Sequence, residues 1–582
     1  MTGRSSVSTD AVLNQPPPRT DVNEFTSNAP LAEAVRRHGA AWALPALDRI
    51  GQLVGSAGFQ QDAALAQRNV PVLHTHDRYG NRIDEVEYHS SYHRIIGQAV
   101  AHGAHTSAWQ APRPGANVAR AAAFMLFAQV EPGHACPISM SHAAVPTLRL
   151  APELARQWLP RLFSRNYDGG LGGGGKPSAL LGMAMTEKQG GSDVRANLTQ
   201  AYPVLAHRAS SASEGREYLL TGHKWFCSAP MSDAFLVLAQ TQAQTQTRAQ
   251  TQTRARTQAR AEGVEGGSGQ ALSCFLVPRV LPDGMRNVFR IQRLKDKLGN
   301  RSNASSEVEF DRTVGMLVGE PGRGVAAIIE MVARTRLDCV LGTAAGMRQA
   351  TAEALWHVRH RRAFGSLLID QPAMTAVVAD LALESEAATA TALRLARAHD
   401  DDGGQEVAFR RIATAVSKYW ICKRGPQHAY EALECLGGNG YTEDFPLAMR
   451  YREQPVMAIW EGSGNIIALD AMRAIARDRP SVDAFEAEVG LAAGADCAFD
   501  AHWARTRNQL DAVSRSEPAA AAAQARMLTE NLALALQASL LLRHSPSPVA
   551  EAFIAARLGP ERGIQYGALP AGLDFAAILE RH

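Results

Sequence analysis

Helical and strand-like patterns of apolar and polar residues alternate along the chain. From Leu31 to about residue 165 the sequence is rich in strong helix formers, as in the run 118–130, which predicts helices. Between about 181 and 320, short apolar runs bounded by Gly, Pro, Asn and Asp predict strands. From Gly324 onward apolar residues again recur at helical spacing. This order predicts an α+β fold with the domains 1–180 (N-terminal helical), 181–320 (middle β-barrel or sandwich), 321–480 (helical bundle) and 481–582 (C-terminal helical extension).

A low-complexity tract interrupts the predicted β-domain. Residues 240–260 repeat Thr-Gln and Ala-Arg, are polar and show no apolar period. Such a segment cannot bury a face, so we predict a surface insert over about 240–265. Its arginines leave open a nucleic-acid arm, but a solvated extension of a hairpin is the simpler interpretation.

Composition indicates a folded protein without a metal site. Of 582 residues, 46% are hydrophobic and 20% charged, which is globular, and a net charge of +3 gives no bulk argument for nucleic acid. The seven cysteines form no C-x-x-C pair, so we expect neither a disulfide framework nor a zinc site. The first thirty residues are charged and contain no apolar core, and the apolar run 532–542 is too short to span a bilayer. We therefore expect a soluble, cytoplasmic protein.

Five short motifs carry candidate chemistry, and each also has an ordinary structural explanation. A glycine pair that follows a strand is also a hairpin turn, and an aromatic strand is also core. A basic helix end, a glycine turn after a helix and a carboxylate before a helix are also capping and dipole features. The motifs are Thr186–Asp193, Gly222–Ser228, Arg359–Gly365, Leu436–Tyr441 and Ile459–Ile466.

Taken in this order and on this helical–β–helical frame, the motifs resemble the acyl-CoA dehydrogenase family of flavoproteins over about residues 100–475. Within that family the sequence is similar to that of the AidB-like branch, which belongs to the DNA alkylation response. The segments that carry this closer resemblance are 14–16, 185–193, 293–304, 422–425 and 459–465.

The resemblance implies a reaction and a base. The family removes a proton from the α-carbon of an acyl thioester and transfers a hydride from the β-carbon to flavin. Glu461 matches the position of the base in one subset of the family. Thr335 occupies the position of the alternative base, and we assign Arg336 beside it to the catalytic group. Trp460 is expected to help desolvate Glu461 and raise its pKa.

The resemblance also implies FAD as the cofactor, held by two groups of residues in a homotetramer. Residues on strands and after the base are expected to contact the flavin and pyrophosphate: Met183, Met185, Thr186, Gly191, Ser192, Phe226, Cys227, Ser228, Ser463 and Asn465. A second group is expected to reach the adenosine half of FAD bound by a neighbouring subunit: Arg361, Phe364, Glu434, Gly437 and Gly438.

Two functions remain open at this point. One is an oxidoreductase acting on an acyl thioester, with acyl-CoA as the candidate substrate. The other is a flavoprotein that binds double-stranded DNA and protects it from alkylating agents. Residues 471–582, where the resemblance places DNA binding, carry 11 arginines and no lysine against 13 acidic residues, a net charge of −2. This balance gives poor support for phosphate binding. Cations elsewhere or clustered locally leave room for a patch formed by the oligomer: Lys418, Lys423, Arg424, Arg450, Arg452, Arg473, Arg477, Arg479 and the arginines of the Thr-Gln tract.

Overall fold

Helices around a small hairpin form the N-terminal part of the chain. The computed structural model describes residues 12–172, 175–204, 216–242 and 270–582. The helices are α1 (Ala29–Arg37), α2 (Leu44–Gly55), α3 (Ala57–Arg68), α4 (Ser90–Ala101), α5 (Ser107–Gln110), α6 (Ala116–Val130), α7 (Ala135–Leu148) and α8 (Pro152–Leu162). Strands β1 (Val72–His76) and β2 (Arg82–Glu87) pair antiparallel between α3 and α4. Helix α6 is buried on nearly every side, and its Arg120 is neutralised there by a buried ion pair with Asp338.

A closed ring of strands forms the middle of the chain. The strands are β3 (Leu181–Ala184), β4 (Gln200–Pro203), β5 (Glu217–Ser228), β6 (Ala234–Gln242), β7 (Gln270–Pro278), β8 (Arg290–Leu294) and β9 (Ser305–Val318). Strand β6 pairs with β7, β7 with β9, β9 with β5, β5 with β4, and β4 with β6 again. Closure of the ring removes unpaired edges, so the barrel alternative is the one adopted. Strand β3 adds to β6 and β8 adds to β9.

The predicted surface insert begins later in the chain than expected. Strand β6 continues through Gln242, so the first residues of the predicted insert belong to the sheet. The predicted loop over the remainder of the tract lies outside the described residues.

Long helices form the rest of the chain. They are α9 (Gly324–His360), α10 (Pro372–Arg397), α11 (Gly404–Glu434), α12 (Pro446–Met457), α13 (Gly464–Arg477), α14 (Arg479–Gly490), α15 (Cys497–Ser514), α16 (Pro518–His544), α17 (Ser547–Arg557) and α18 (Phe575–Leu579). Between α9 and α10, β10 (Arg362–Ala363) and β11 (Ser366–Leu367) form a tight hairpin. Helix α9 has 37 residues and is therefore about 55 Å long. It packs along α10 and α11 and also meets α6 and α7, so it joins the two helical parts.

Ion pairs fasten the C-terminal helices to the remainder of the molecule. Arg557 on α17 binds Asp380 and Glu384 of α10, at 2.5 and 3.0 Å. Arg581 binds Glu386 at 2.9 Å and Glu33 of α1 at 2.7 Å. The α+β fold class with helical, β and helical parts in this order is thus confirmed, while the exact domain limits stay a prediction. None of the described helices is long and apolar enough to cross a membrane.

Candidate active site

Glu461 lies in a tight turn between α12 and α13. Its φ is +58°, a left-handed conformation that non-glycine residues adopt at a cost of about 1–3 kcal/mol, and Gly462 follows with φ +112°. Two cations from other helices hold this turn through its main-chain carbonyl groups. Arg336 of α9 donates from Nε to the Glu461 carbonyl oxygen at 3.0 Å, and Lys418 of α11 donates from Nζ to the Gly462 carbonyl oxygen at 2.6 Å. The surroundings thus maintain a backbone conformation that the turn would not prefer alone.

The carboxyl group of Glu461 has a raised pKa. Burial raises the pKa above its ordinary value, while a hydrogen bond from Thr335 and the charges of Arg336 and Lys418 act in the opposite direction. A carboxylate whose proton affinity is increased by burial is suited to accept a proton near neutral pH. The position where the family has its alternative base therefore supplies a hydroxyl partner to Glu461 here.

Arg336 is fixed by a second contact on α13. Its Nη1 binds Asp470 Oδ2 at 2.7 Å, and Arg411 of α11 binds the other carboxylate oxygen at 3.2 Å. Because the guanidinium holds both the Glu461 carbonyl and Asp470, its observed contacts are those of a positioning residue. Asp470 is not identified by the sequence motifs, since it follows the Ile459–Ile466 motif and belongs to none of the five.

Trp460 packs beside the base in a small apolar cluster. It contacts the cluster of Cys339, Cys422 and Met457. Its indole Nε1 is buried and has no hydrogen-bond partner among the described residues. The indole is half-buried against this cluster and leaves a buried donor available beside the Glu461 turn, while its role in desolvating Glu461 stays a prediction.

The end of strand β5 presents an aromatic ring and a hydroxyl. Phe226 is 51% exposed although it belongs to a strand with many buried positions, and Lys295 Nζ lies 4.7 Å from its ring centroid. Cys227 points into the core and is fully buried, so only its main chain is available to a ligand. Ser228 is half-buried. Alternation along the strand therefore separates Phe226 and Ser228 from Cys227.

Ser228 connects this strand to the surroundings of the base. Its hydroxyl hydrogen bonds the thiol of Cys136, the first turn of α7, and lies 3.2 Å from Ser305 Oγ. Burial raises the pKa of Cys136 to about 11, and the nearby Glu461 carboxylate contributes to this shift. Lys297 Nζ is 3.3 Å from Ser305 Oγ, and burial lowers its pKa to about 8. Sequence reasoning missed Cys136 and Lys297, although Lys297 lies within one of the segments that carry the resemblance.

The glycine turn after β3 is anchored by a buried ion pair. Met183, Met185 and Thr186 are half-buried, whereas Gly191 and Ser192 are exposed beyond them. Glu187, in the same turn, binds Lys224 of β5 at 2.7 Å, and both side chains are fully buried. The Thr186 carbonyl also accepts from the Trp225 amide at 2.9 Å. These contacts hold the turn against β5 at Lys224 and Trp225, which directly precede Phe226 along the strand.

Two predicted residues after the base lie at the start of α13 in basic surroundings. Ser463 and Asn465 are exposed, and Arg526 reaches Asn465 Oδ1 at 3.5 Å. Lys423 lies beside Gly464, since a Cβ built there would stand 3.3 Å from its Nζ. A helix N-terminus with two cations favours a negatively charged ligand group.

The second predicted group lies far from the base within one chain. Glu434, Gly437 and Gly438 are exposed at the end of α11, sixteen residues or more beyond Lys418, which corresponds to about 24 Å along the helix. Arg361 and Phe364 follow α9, and Phe364 is 98% exposed. The predicted residues therefore fall into two sites, one at Glu461 and one at the far ends of α9 and α11.

The residues fit a flavin nucleotide. The Glu461 site offers an exposed aromatic face, a hydroxyl and glycine main chain, which suit a flat heteroaromatic ring. The far site offers an exposed Phe364 and guanidinium groups beside glycines with open space around them. Among the described residues no group of three or more His, Cys, Asp or Glu side chains is arranged to hold a metal ion.

Comparison with known proteins gives the family. Residues 14–169 match the N-terminal domain of the adaptive response protein AidB. Residues 182–313 and 322–476 match the middle and C-terminal domains of acyl-CoA dehydrogenases. The chain is 42% identical to AidB of Escherichia coli (strain K12) over 561 residues, which is 96% of each protein.

Solved structures agree on the fold. ACDH-11 of Caenorhabditis elegans, determined in complex with C11-CoA, superposes with a TM-score of 0.82 at 23% identity, over 98% of this chain and 97% of that one. An acyl-CoA dehydrogenase of Bacillus anthracis complexed with FAD gives a TM-score of 0.64 at 16% identity, over 90% and 83% of the two chains.

These findings define an acyl-CoA dehydrogenase-type flavoprotein. The chain belongs to the AidB-like branch of the acyl-CoA dehydrogenase family, and its cofactor is FAD. The predicted family, branch, fold and cofactor are therefore confirmed, whereas the roles of individual site residues stay predictions.

Proposed function

We propose that this protein is an FAD-dependent acyl-CoA dehydrogenase in which Glu461 removes the proton from the α-carbon of the acyl thioester. The observation that carries this proposal is the Glu461 turn. A carboxyl group with a raised pKa is held in a left-handed turn by Arg336 and Lys418. A strained backbone conformation together with a shifted pKa at one carboxyl group is typical of a catalytic residue.

Each residue around Glu461 has a separate role in this proposed reaction. FAD, when bound, supplies the acceptor for the hydride that leaves the β-carbon. A carboxylate oxygen of Glu461 receives the α-proton, and the Thr335 hydroxyl hydrogen bonds this carboxylate. Trp460 and the apolar cluster beside it exclude water, which keeps the proton affinity of the carboxylate high. Arg336 and Lys418 keep the main chain of the turn in place while the proton moves.

The candidate cofactor contacts follow from the two sites. We infer that Phe226 and Ser228 face the flavin, with Met183, Met185, Thr186, Gly191 and Ser192 along the adjoining turn and Ser463 and Asn465 on the phosphate side. We infer that Arg361, Phe364, Glu434, Gly437 and Gly438 contact the adenosine half of FAD bound by a neighbouring subunit. This arrangement requires an oligomer, for which we propose a homotetramer.

Acyl-CoA is the substrate class that the comparisons support. The E. coli relative, which matches over 96% of its length, carries the name of an acyl-CoA dehydrogenase, and the similar structure of ACDH-11 was determined with C11-CoA. The proposal is tested by adding saturated acyl-CoAs of different chain lengths to the purified protein without oxygen. Loss of the yellow flavin absorbance with formation of the corresponding enoyl-CoA is expected for at least one chain length. A flavin that stays oxidised with every acyl-CoA contradicts the proposed activity.

DNA binding is not favoured by the charges of the described residues. Of the cations that the sequence suggested for a patch, Lys418 and Arg450 are buried on main-chain carbonyl groups. Arg424, Arg452 and Arg479 are paired with carboxylates. The charges of these five residues have partners within the chain and give poor support for the predicted patch, whereas Lys423, Arg473 and Arg477 are exposed.

A further inference from the structure

An N-terminal segment joins the two turns of the far site. Residues 12–17, called here the N-terminal strap, run along the ends of α9 and α11. Asn14 and Arg362 exchange two hydrogen bonds, from Asn14 Nδ2 to the Arg362 carbonyl oxygen and from the Arg362 amide to Asn14 Oδ1, both 2.8 Å long. Gln15 Oε1 accepts from Asn439 Nδ2 at 3.0 Å, in the glycine turn after α11. Adjacent residues of the strap thus hold the hairpin and the turn in one arrangement.

The hairpin needs such support. Each of its strands has two residues, which is too short for independent stability. Its tip places Phe364 at φ +51° and Gly365 at φ +88°, and a left-handed phenylalanine costs about 1–3 kcal/mol. The amide side chain of Asn14 acts like a further strand residue, because it donates to and accepts from the same residue of the hairpin. Asn14 itself has φ +56°, which asparagine adopts more readily than most residues.

The strap also holds a positively charged side chain of the far site. The main-chain carbonyl oxygen of Asn14 accepts a hydrogen bond from the Arg361 guanidinium. Arg359 and Arg362 likewise bind main-chain carbonyl oxygens, of Leu579 at 3.1 Å and Gly365 at 3.2 Å. Among the described residues none of these three arginines forms an ion pair. Their positive charges are therefore available to a negatively charged ligand.

The ligand side of this surface is open. The Phe364 ring is 98% exposed, and a Cβ built on Gly437 or Gly438 would have no neighbour within 4 Å. An exposed ring beside uncompensated cations and a bare glycine turn suits a group that combines a flat base with phosphate, as the adenosine diphosphate part of FAD does. If the hairpin moved freely, the entropy cost of ordering it would weaken the affinity for the ligand.

We propose that Asn14 and Gln15 are positioning residues for the adenosine half of FAD, because they hold the Arg361–Gly365 hairpin and the Gly437 turn ready for it. This inference rests on the proposed function, which places those two turns at the FAD of a neighbouring subunit. It adds an element that the five motifs do not contain, since the strap lies 348 residues away from the hairpin in sequence.

The proposal is tested with N14G in the full-length protein. Glycine adopts φ +56° without strain and keeps the carbonyl group that binds Arg361, so only the amide side chain is lost. Affinity of the deflavinated protein is measured for FAD and for FMN, which shares the flavin but lacks the adenosine half. N14G is expected to bind FAD about tenfold more weakly and FMN equally well, because one or two hydrogen bonds are lost. Loss of FAD from the yellow protein on dilution gives a second measurement that needs no deflavination.

Two further variants keep the outcomes separate. N166A removes an exposed asparagine after α8 for which no side-chain contact with the strap or the two turns is observed in the described part of the chain, and it is expected to bind both flavins normally. R361A is expected to weaken FAD binding alone. Unchanged FAD affinity in N14G together with weakened FAD binding in R361A overturns the strap but leaves the FAD site in place. Equal weakening of FAD and FMN in N14G overturns the positioning role, because the change then acts on the fold as a whole. Normal FAD binding in both N14G and R361A overturns the strap and the proposed far site together.

Discussion

The guanidinium of Arg336 donates a hydrogen bond to the main-chain carbonyl of Glu461, at 3.0 Å, rather than to its carboxylate. The same guanidinium binds Asp470 at 2.7 Å. This relationship fixes the position of the carboxylate while leaving its oxygens to Thr335 and to a substrate. A direct ion pair with Arg336 would instead lower the proton affinity that a base requires.

Removal of Arg336 is expected to slow proton abstraction without emptying the flavin site. R336A loses two charge-assisted contacts, and we expect flavin reduction by acyl-CoA to slow about 10–100-fold. R336K retains the charge but not the two-pronged geometry, so an intermediate rate is expected. The measurement is the rate of flavin bleaching in anaerobic rapid mixing, with flavin content determined beforehand. R473A, which removes an exposed arginine of α13, is the control; a normal rate in R336A contradicts the positioning role.

Replacement of Lys418 is expected to shift the pH dependence of the reaction. The Lys418 charge lowers the pKa of Glu461, so K418M is expected to raise that pKa further. The carboxylate is then present only at higher pH, and the acid limb of the rate profile moves in the alkaline direction. The measurement is the rate of flavin reduction across a pH series, with K418R as the variant that keeps the charge. An acid limb in K418M at the position of the parent protein argues against Glu461 as the titrating base.

The buried pair of Glu187 and Lys224 is expected to control stability in acid. Burial opposes ionisation of Glu187, but the charge and hydrogen bond of Lys224 outweigh it and lower the pKa to about 2. The stabilisation is therefore complete above the ordinary carboxyl pKa and is lost as pH falls from about 4.5 towards 2. E187Q leaves the buried ammonium unpaired, and we expect a loss of about 3–5 kcal/mol at neutral pH with a flatter acid dependence. Thermal unfolding across pH is the measurement, with the exposed Glu309→Gln as control; an unchanged midpoint in E187Q would falsify this account of the glycine turn.

The general fold was predictable because local patterns determine it. Alternating short runs predicted the β-part, and helical spacing from Gly324 onward predicted the helical part, which begins at Gly324 with α9. The arrangement of strands as a closed ring was not predictable, since β4 meets β6 through only two residue pairs that no local pattern specifies.

The candidate site was predictable only where motifs mark it. Glu461 stands in a motif, and its left-handed turn agrees with the glycine that follows. Asp470, Cys136 and Lys297 could not be assigned, because their partners come from other helices and strands and periodicity identifies a buried face but not its neighbour. Asn14 belongs to a quoted segment, yet only the folded chain brings it to Arg362.

The central claim is that Glu461 takes the α-proton, and it is tested most directly with E461Q. Glutamine has nearly the same shape but cannot accept the proton, so the variant is expected to retain FAD and to remain folded. Its flavin is predicted to be reduced by acyl-CoA about 1,000-fold more slowly than in the parent protein, in the middle of the range of contributions of a general base. Bleaching of the E461Q flavin at the parental rate, with equal FAD content, would contradict the account.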